Sequence, residues 1–169
     1  TTWETCGVTR EKLCAVIEEQ LELAERIVRR GIEVVPHFRI FAPDGEHTVM
    51  VQLPDDLERR MESMRVVAAF MVWKAATGFV HGSELIDPDA IAAVAVTRDD
   101  AIGALRRIKR KPLSFGAMEW FGREAIGEDL LQLLPPRVMT ISETDLSFTQ
   151  KAFEEGTVPG IRWVRPGEQ

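Results

Sequence analysis

The stretch IEVVPHFRIFAPDGEHTVMVQL, residues 32–53, decides the fold class. Two β-branched and aromatic runs, Ile32 to Phe41 and Thr48 to Leu53, flank the segment Ala42 to His47. In that segment Pro43 presets φ for a turn, Asp44 bonds its own backbone and Gly45 accepts a positive φ. The pattern predicts a β-hairpin turning at Asp44 and Gly45, with Val49, Val51 and Leu53 on one face of its second strand.

Upstream, Leu13, Ile17, Leu21, Ala24 and Val28 recur at helical spacing, and Thr9 and Gly31 have the chemistry of an N-cap and a C-terminal stop. A helix is expected over Thr9–Arg30. Downstream, Pro54 stops the strand, and Asp55 with Glu58 resembles a capping box for a second helix reaching about Ala76. Its stripe of Leu57, Met61, Met64, Val67, Ala68, Met71 and Ala75 is expected to face the core, making this the central helix.

After Gly78 the periodicity changes to that of strands. Phe79 to Ile86 and Ile91 to Thr97 bracket Asp87, Pro88 and Asp89, which predicts a second hairpin; the alanines at 90, 92, 93 and 95 leave a helix over Asp89–Val96 as the alternative. Further on, Asp99 or Asp100 caps an expected short helix carrying Ile102, Leu105 and Ile108. Another helix is expected from about Phe115 to Leu134, stopped by Pro135 and Pro136. Val138 to Ile141 reads as a short strand, Ser147 with Gln150 as a cap for a helix ending at Gly156, and Ile161 to Val164 as a last strand.

This order of helix, hairpin, helix, hairpin and helices predicts an α+β fold. An antiparallel sheet built from two β-hairpins carries helices packed on one face, because hairpins make antiparallel neighbours and βαβ units parallel ones. A chain of 169 residues with 45% hydrophobic and 28% charged residues suits a single globular domain over 1–169.

Composition also narrows the function classes. A net charge of −6 opposes approach to a polyanion, so nucleic acid is an unlikely partner on total charge. The longest apolar run, Val66 to Trp73, is too short to span a membrane. Thr1 to Gly7 lacks the basic flank and apolar block of a signal peptide, and Cys6 and Cys14 have no disulfide or zinc spacing. The expectation is a soluble, cytoplasmic protein with reduced thiols.

Phosphate loops, nucleophile elbows, HExxH, CxxC and EF-hand patterns do not occur, and no cofactor or metal is expected. Three weaker features remain. His81, Gly82, Ser83 and Glu84 bring an imidazole, a hydroxyl and a carboxylate within four positions, which makes His81 and Glu84 the candidate catalytic pair; on a strand, however, they point to opposite faces. His37, His47 and His81 are ligand types without diagnostic spacing. Arg106, Arg107, Lys109, Arg110 and Lys111 form the densest charge feature, a candidate binding run with Trp120 and Phe121 downstream as bases' stacking partners.

The resulting expectation is an accessory or protein-interaction domain without a catalytic motif, self-associating as a homodimer or holding another protein. The homodimer rests on four Trp, eight Phe and six Met and on the apolar girth of the helix around Trp73. The alternatives are a small enzyme or ligand-binding protein with a pocket near His81 and Glu84, and nucleic-acid binding through Arg106 to Lys111.

Overall fold

The computed structural model describes residues 9–52, 56–134 and 141–168. Helix α1 (Arg10–Arg29) starts where Thr9 Oγ1 accepts a hydrogen bond from Lys12 N at 3.3 Å and stops before Gly31, at φ +76°. Its expected apolar stripe is buried, with one polar residue, Gln20, inside it.

Strands β1 (His37–Ala42) and β2 (Gly45–Val51) make the first hairpin. Ala42 pairs with Gly45, so Pro43 and Asp44 are the two loop residues and Gly45, at φ +127°, opens β2. The first strand is shorter than expected. Pro36 lacks an N–H and can only accept, from Val51 N at 2.8 Å, while Val34 N turns instead to the Glu84 carboxylate at 3.2 Å.

Helix α2 (Leu57–Trp73) is capped by Asp56, whose Oδ1 accepts from Glu58 N at 3.0 Å; Asp55 lies outside the described residues. Only the second half of its stripe is core. Val67, Ala68 and Met71 are fully buried, whereas Leu57 is 72% and Met61 51% exposed, and Ala75 follows the helix end at φ 53°. The core-facing surface begins where α2 reaches Phe38, Phe79 and the aromatic side chains of the C-terminal segment.

The second hairpin is β3 (Gly78–Leu85) with β4 (Ala90–Thr97), so the alanine-rich stretch is strand. Helix propensity loses there to packing, since Ile91, Ala93 and Ala95 lie under α1 and small side chains let the helix come close.

Two expected helices are not formed. Residues 101–110 are strand β5 (Ala101–Arg110), joined to β4 by a tight turn in which Thr97 N donates to Asp100 O at 2.8 Å and Asp100 N to Thr97 Oγ1 at 3.1 Å. Strand wins because β5 pairs along both edges, with β4 on one side and β6 (Leu113–Phe115) and β7 (Glu119–Gly122) on the other. Gly103 admits the Phe121 ring over this sheet; a Cβ there would sit 2.3 Å from it. The expected helix over 115–134 is therefore β6, β7, a 3-10 turn (Arg123–Ala125) and the single-turn α3 (Glu128–Leu131).

Of the strand expected over 138–141, residues 138–140 lie outside the described residues and Ile141 is not in a strand. Helix α4 (Glu143–Glu155) begins earlier than expected, with Ser142 Oγ accepting from Asp145 N at 3.1 Å, and ends at Gly156 with φ +67°. Strand β8 (Ile161–Val164) forms as expected and pairs with β2.

The result is an α+β fold whose antiparallel sheet has eight strands in the order β6-β5-β4-β3-β1-β2-β8, with β7 also on β5. Helices cover both faces rather than one. Phe38, Ile40, Val49, Val51, Phe79 and Val96 pack under α2 and α4, while Val80, Ile91, Ala93, Ala95 and Ile102 pack under α1. Alternation along each strand assigns odd residues of β4 and even residues of β5 to the α1 side.

Met71 is fully buried among those rings and strands. Met71→Ala is expected to lower the unfolding free energy in urea by about 2–5 kcal/mol, through lost apolar burial plus a residual cavity. A loss of under about 1 kcal/mol would mean that the site lacks the packing assigned to it.

Candidate functional site

The segment of β3 from His81 to Glu84 divides between the two sides of the sheet. His81 is on the α2 side, stacked on Phe38 at 4.4 Å between centroids, and its Nδ1–H donates to the His37 carbonyl at 3.0 Å. Glu84 is on the α1 side, where its carboxylate accepts from Val34 N at 3.2 Å and from Arg110 Nη2 at 3.2 Å. The sheet separates the two candidates, and Glu84 is occupied as a structural clamp. Burial, reinforced by nearby His37, pushes the His81 imidazole down to about 4; the Asp129 carboxylate works against this and is outweighed. His81 is thus neutral at pH 7, its Nε2 an acceptor without a hydrogen-bond partner among the described residues.

On the α1 side a polar chain crosses from helix to sheet. His37 donates Nδ1–H to the Val35 carbonyl at 2.8 Å, which leaves Nε2 to accept from the Gln20 amide at 2.6 Å. Gln20 Oε1 then accepts from Arg39 Nη1 at 3.4 Å, and Arg39 Nη2 reaches Glu46 at 2.9 Å and Glu19 at 3.7 Å. Burial foremost, with Arg39 adding to it, holds His37 below the ordinary imidazole range. Gly82 is a packing requirement of this chain, because it pairs with His37 and a Cβ would lie 2.7 Å from Gln20 Nε2. With both ring nitrogens bonded, His37 has neither a proton nor a lone pair free for chemistry.

The other side carries an aromatic cluster of Phe70, Trp73, Phe153, Trp163 and His47, with centroids 4.7 to 6.4 Å apart. His47 is 1% exposed and bonded at both nitrogens: Nε2–H donates to Asp44 Oδ1 at 2.7 Å, and Nδ1 accepts from Trp163 Nε1–H at 3.1 Å. Lys74 sits 4.0 Å over Trp73 and 3.5 Å from Asp44, so a resident cation already fills the aromatic box. A neighbouring cleft of about 390 Å³ is lined by Phe153, Val158, Ile161 and Trp163, with Arg165 over the Trp163 ring at 4.5 Å. Neither His81 nor Glu84 lines it.

The three histidines therefore sit in three separate settings. Among the described residues no three His, Cys, Asp or Glu side chains group in a way that could hold a metal ion. Cys14 is half-buried beside the α1 core, and Cys6 lies outside the described residues.

The basic run lies on the β5–β6 hairpin rather than on a helix end, and the strand sends its cations alternately to opposite faces. Most are spoken for. Arg106 donates to the Gly116 carbonyl at 2.8 Å and pairs with Glu25 at 3.4 Å, Arg107 pairs with Glu119 at 2.8 Å, and Arg110 with Asp89 at 2.9 Å.

Sequence reading passed over Gln20, Arg39 and the Asp44–His47–Trp163 chain. Gln20 left a signal, a polar residue on the buried stripe of α1, where an amide must find a partner. Trp163 left none, since its partner His47 is 116 positions away.

A histidine held at about 4 in the fold, against about 6.5 in the unfolded chain, stabilises fully above pH 6.5 and loses that contribution as pH falls from 6.5 to 4. The expected loss over this window is on the order of 3 kcal/mol, and His81→Gln should remove most of it when urea midpoints are followed from pH 7 to pH 4. Parallel pH profiles for the two proteins would contradict the buried neutral imidazole. Comparison with known protein families, curated proteins and solved structures finds no match for this chain, so the reading of its sites rests on their geometry.

Proposed function

We propose that this chain is a protein-interaction domain without catalytic activity, working through the half of the α1-side sheet face that α1 does not cover. One observation carries the reading. Strand β4 is buried on both faces, whereas in β2 every second residue, His47, Val49 and Val51, is buried and the intervening Glu46, Thr48 and Met50 are not. Helix α1 lies over β3, β4 and β5 and reaches β1 through Gln20 and Phe41, and among the described residues no helix packs on β2 and β8 on that side.

Support for the rival readings is thinner. A pocket at His81 and Glu84 would have to join groups on opposite sides of the sheet. A nucleic-acid surface would have to draw Arg106, Arg107 and Arg110 out of their ion pairs in a protein of net charge −6.

A photo-reactive amino acid placed at Met50 in the full chain tests the reading in cells. The expected outcome is an adduct of discrete mass, absent with the same probe at the exposed Glu124 and weakened by Val164→Arg on the neighbouring strand. Labelling at Met50 no different from that at Glu124 would remove the reading.

A further inference from the structure

Resting on that interaction reading, we infer that His37, Gln20 and Arg39 form an acid-operated latch at the border of the open face, in which a proton taken up by His37 reverses the Gln20 amide and frees Arg39 toward β2. The hydrogen-bond directions are fixed from the charged end of the chain. A guanidinium can only donate, so the Gln20 atom 3.4 Å from Arg39 Nη1 is the amide oxygen, and the NH2 group must face His37. His37 Nε2, 2.6 Å away, is therefore an acceptor, and the ring carries its one proton on Nδ1 against the Val35 carbonyl. Only the neutral imidazole fits this order. A proton on Nε2 would set two donors against each other, and the buried amide relieves that by turning its oxygen to the imidazolium. Its NH2 then faces the guanidinium, donor against donor, and the contact with Arg39 is lost.

The neighbours of His37 leave it this one response. Met50 on β2 and Gly82 on β3 lie opposite it and carry no charge, and the ring lies so close over Gly82 that even a Cβ there would sit 2.8 Å from His37 Cε1. His81 is on the far side of the sheet and reaches only the His37 carbonyl. Of the carboxylates on the α1 side, Glu84 is held by Val34 N and Arg110, while Glu19 and Glu46 belong to Arg39. None of them bonds the ring, so its charged form lacks a direct counter-ion among the described residues. Burial, with Arg39 adding to it and the Val35 bond working against it, keeps the ring neutral below the ordinary imidazole range, and the latch is closed at pH 7. Arg39 stands opposite Thr48 and bonds Glu46 on β2, so its release is felt on the strand that carries Met50.

Nuclear magnetic resonance of the isotopically labelled full chain, titrated from about pH 7.5 to about pH 4.5, tests this without any partner. At the upper end the His37 ring is expected as the Nδ1–H tautomer. On acidification the Gln20 side-chain amide, Arg39 Nε and Met50 methyl signals should shift with the midpoint of His37. Gln20→Glu, whose carboxylate accepts from imidazolium and guanidinium together, should raise that midpoint and leave Arg39 and Met50 unmoved by it. Gln20→Met covers the case in which Gln20→Glu does not fold: His37 should still titrate, with Arg39 and Met50 no longer following. Glu46→Gln should keep the coupling, which separates it from titration of that carboxylate. An Nε2–H tautomer at neutral pH, Arg39 and Met50 signals that ignore the His37 midpoint, coupling that persists in the Gln20 variants, or its loss in Glu46→Gln would each overturn the latch. The interaction reading is decided separately, by the Met50 adduct at neutral pH, and stands or falls without these titrations.

Discussion

Strand β4 is the constraint on which the other elements depend. It is alanine-rich and buried throughout apart from Ala92, with α1 lying on Ile91, Ala93 and Ala95 and the α2-side core on Val94 and Val96. Small side chains on one face let a helix approach a strand closely, and branched ones on the other fill the wider space under α2 and the aromatic cluster. Strands β3 and β5 flank β4 and share both cores. Because α1 is committed to β3, β4 and β5 and reaches only as far as β1, strands β2 and β8 have one covered face and one open one. The interaction reading follows from that asymmetry.

The polar residues serve the same arrangement. Gln20, His37 and Arg39 tie α1 to β1 at the edge of the open floor, and Gly82 makes room for them. Asp44, His47 and Trp163 tie the first hairpin's turn to β8. Each network uses its donors and acceptors internally, which rigidifies the fold and withholds those groups from catalysis. The ion pairs of Arg106, Arg107 and Arg110 do likewise for β5 and its hairpin.

Legibility in the sequence followed the local signals. The first hairpin, α1 and the end of α4 were readable because Pro43, Gly45, Thr9, Gly31 and Gly156 act within a few residues of themselves. Strand β5 departs from the helix expected around Ile102, Leu105 and Ile108 because Ala101 to Ala104, buried on both faces, form an unbroken apolar run, and those three positions fit a helix as well as a strand. What decided for strand was a neighbour, the exposed edge of β4, and Phe121 settling over Gly103. The candidate pair His81 and Glu84 was separated by strand alternation already visible in the sequence. The aromatic box around His47 depends on pairing β2 with a strand more than a hundred positions away, and no local pattern encodes that.

Native-state hydrogen exchange tests the central place of β4 most directly. The account predicts that the amides of Ile91 to Val96 exchange slowest and share one opening free energy, equal to that of global unfolding, while those of β8, covered on one face and paired along one edge, open at lower cost. Amides of β2 and β8 outlasting those of β4, or β4 opening well below the global free energy, would contradict it.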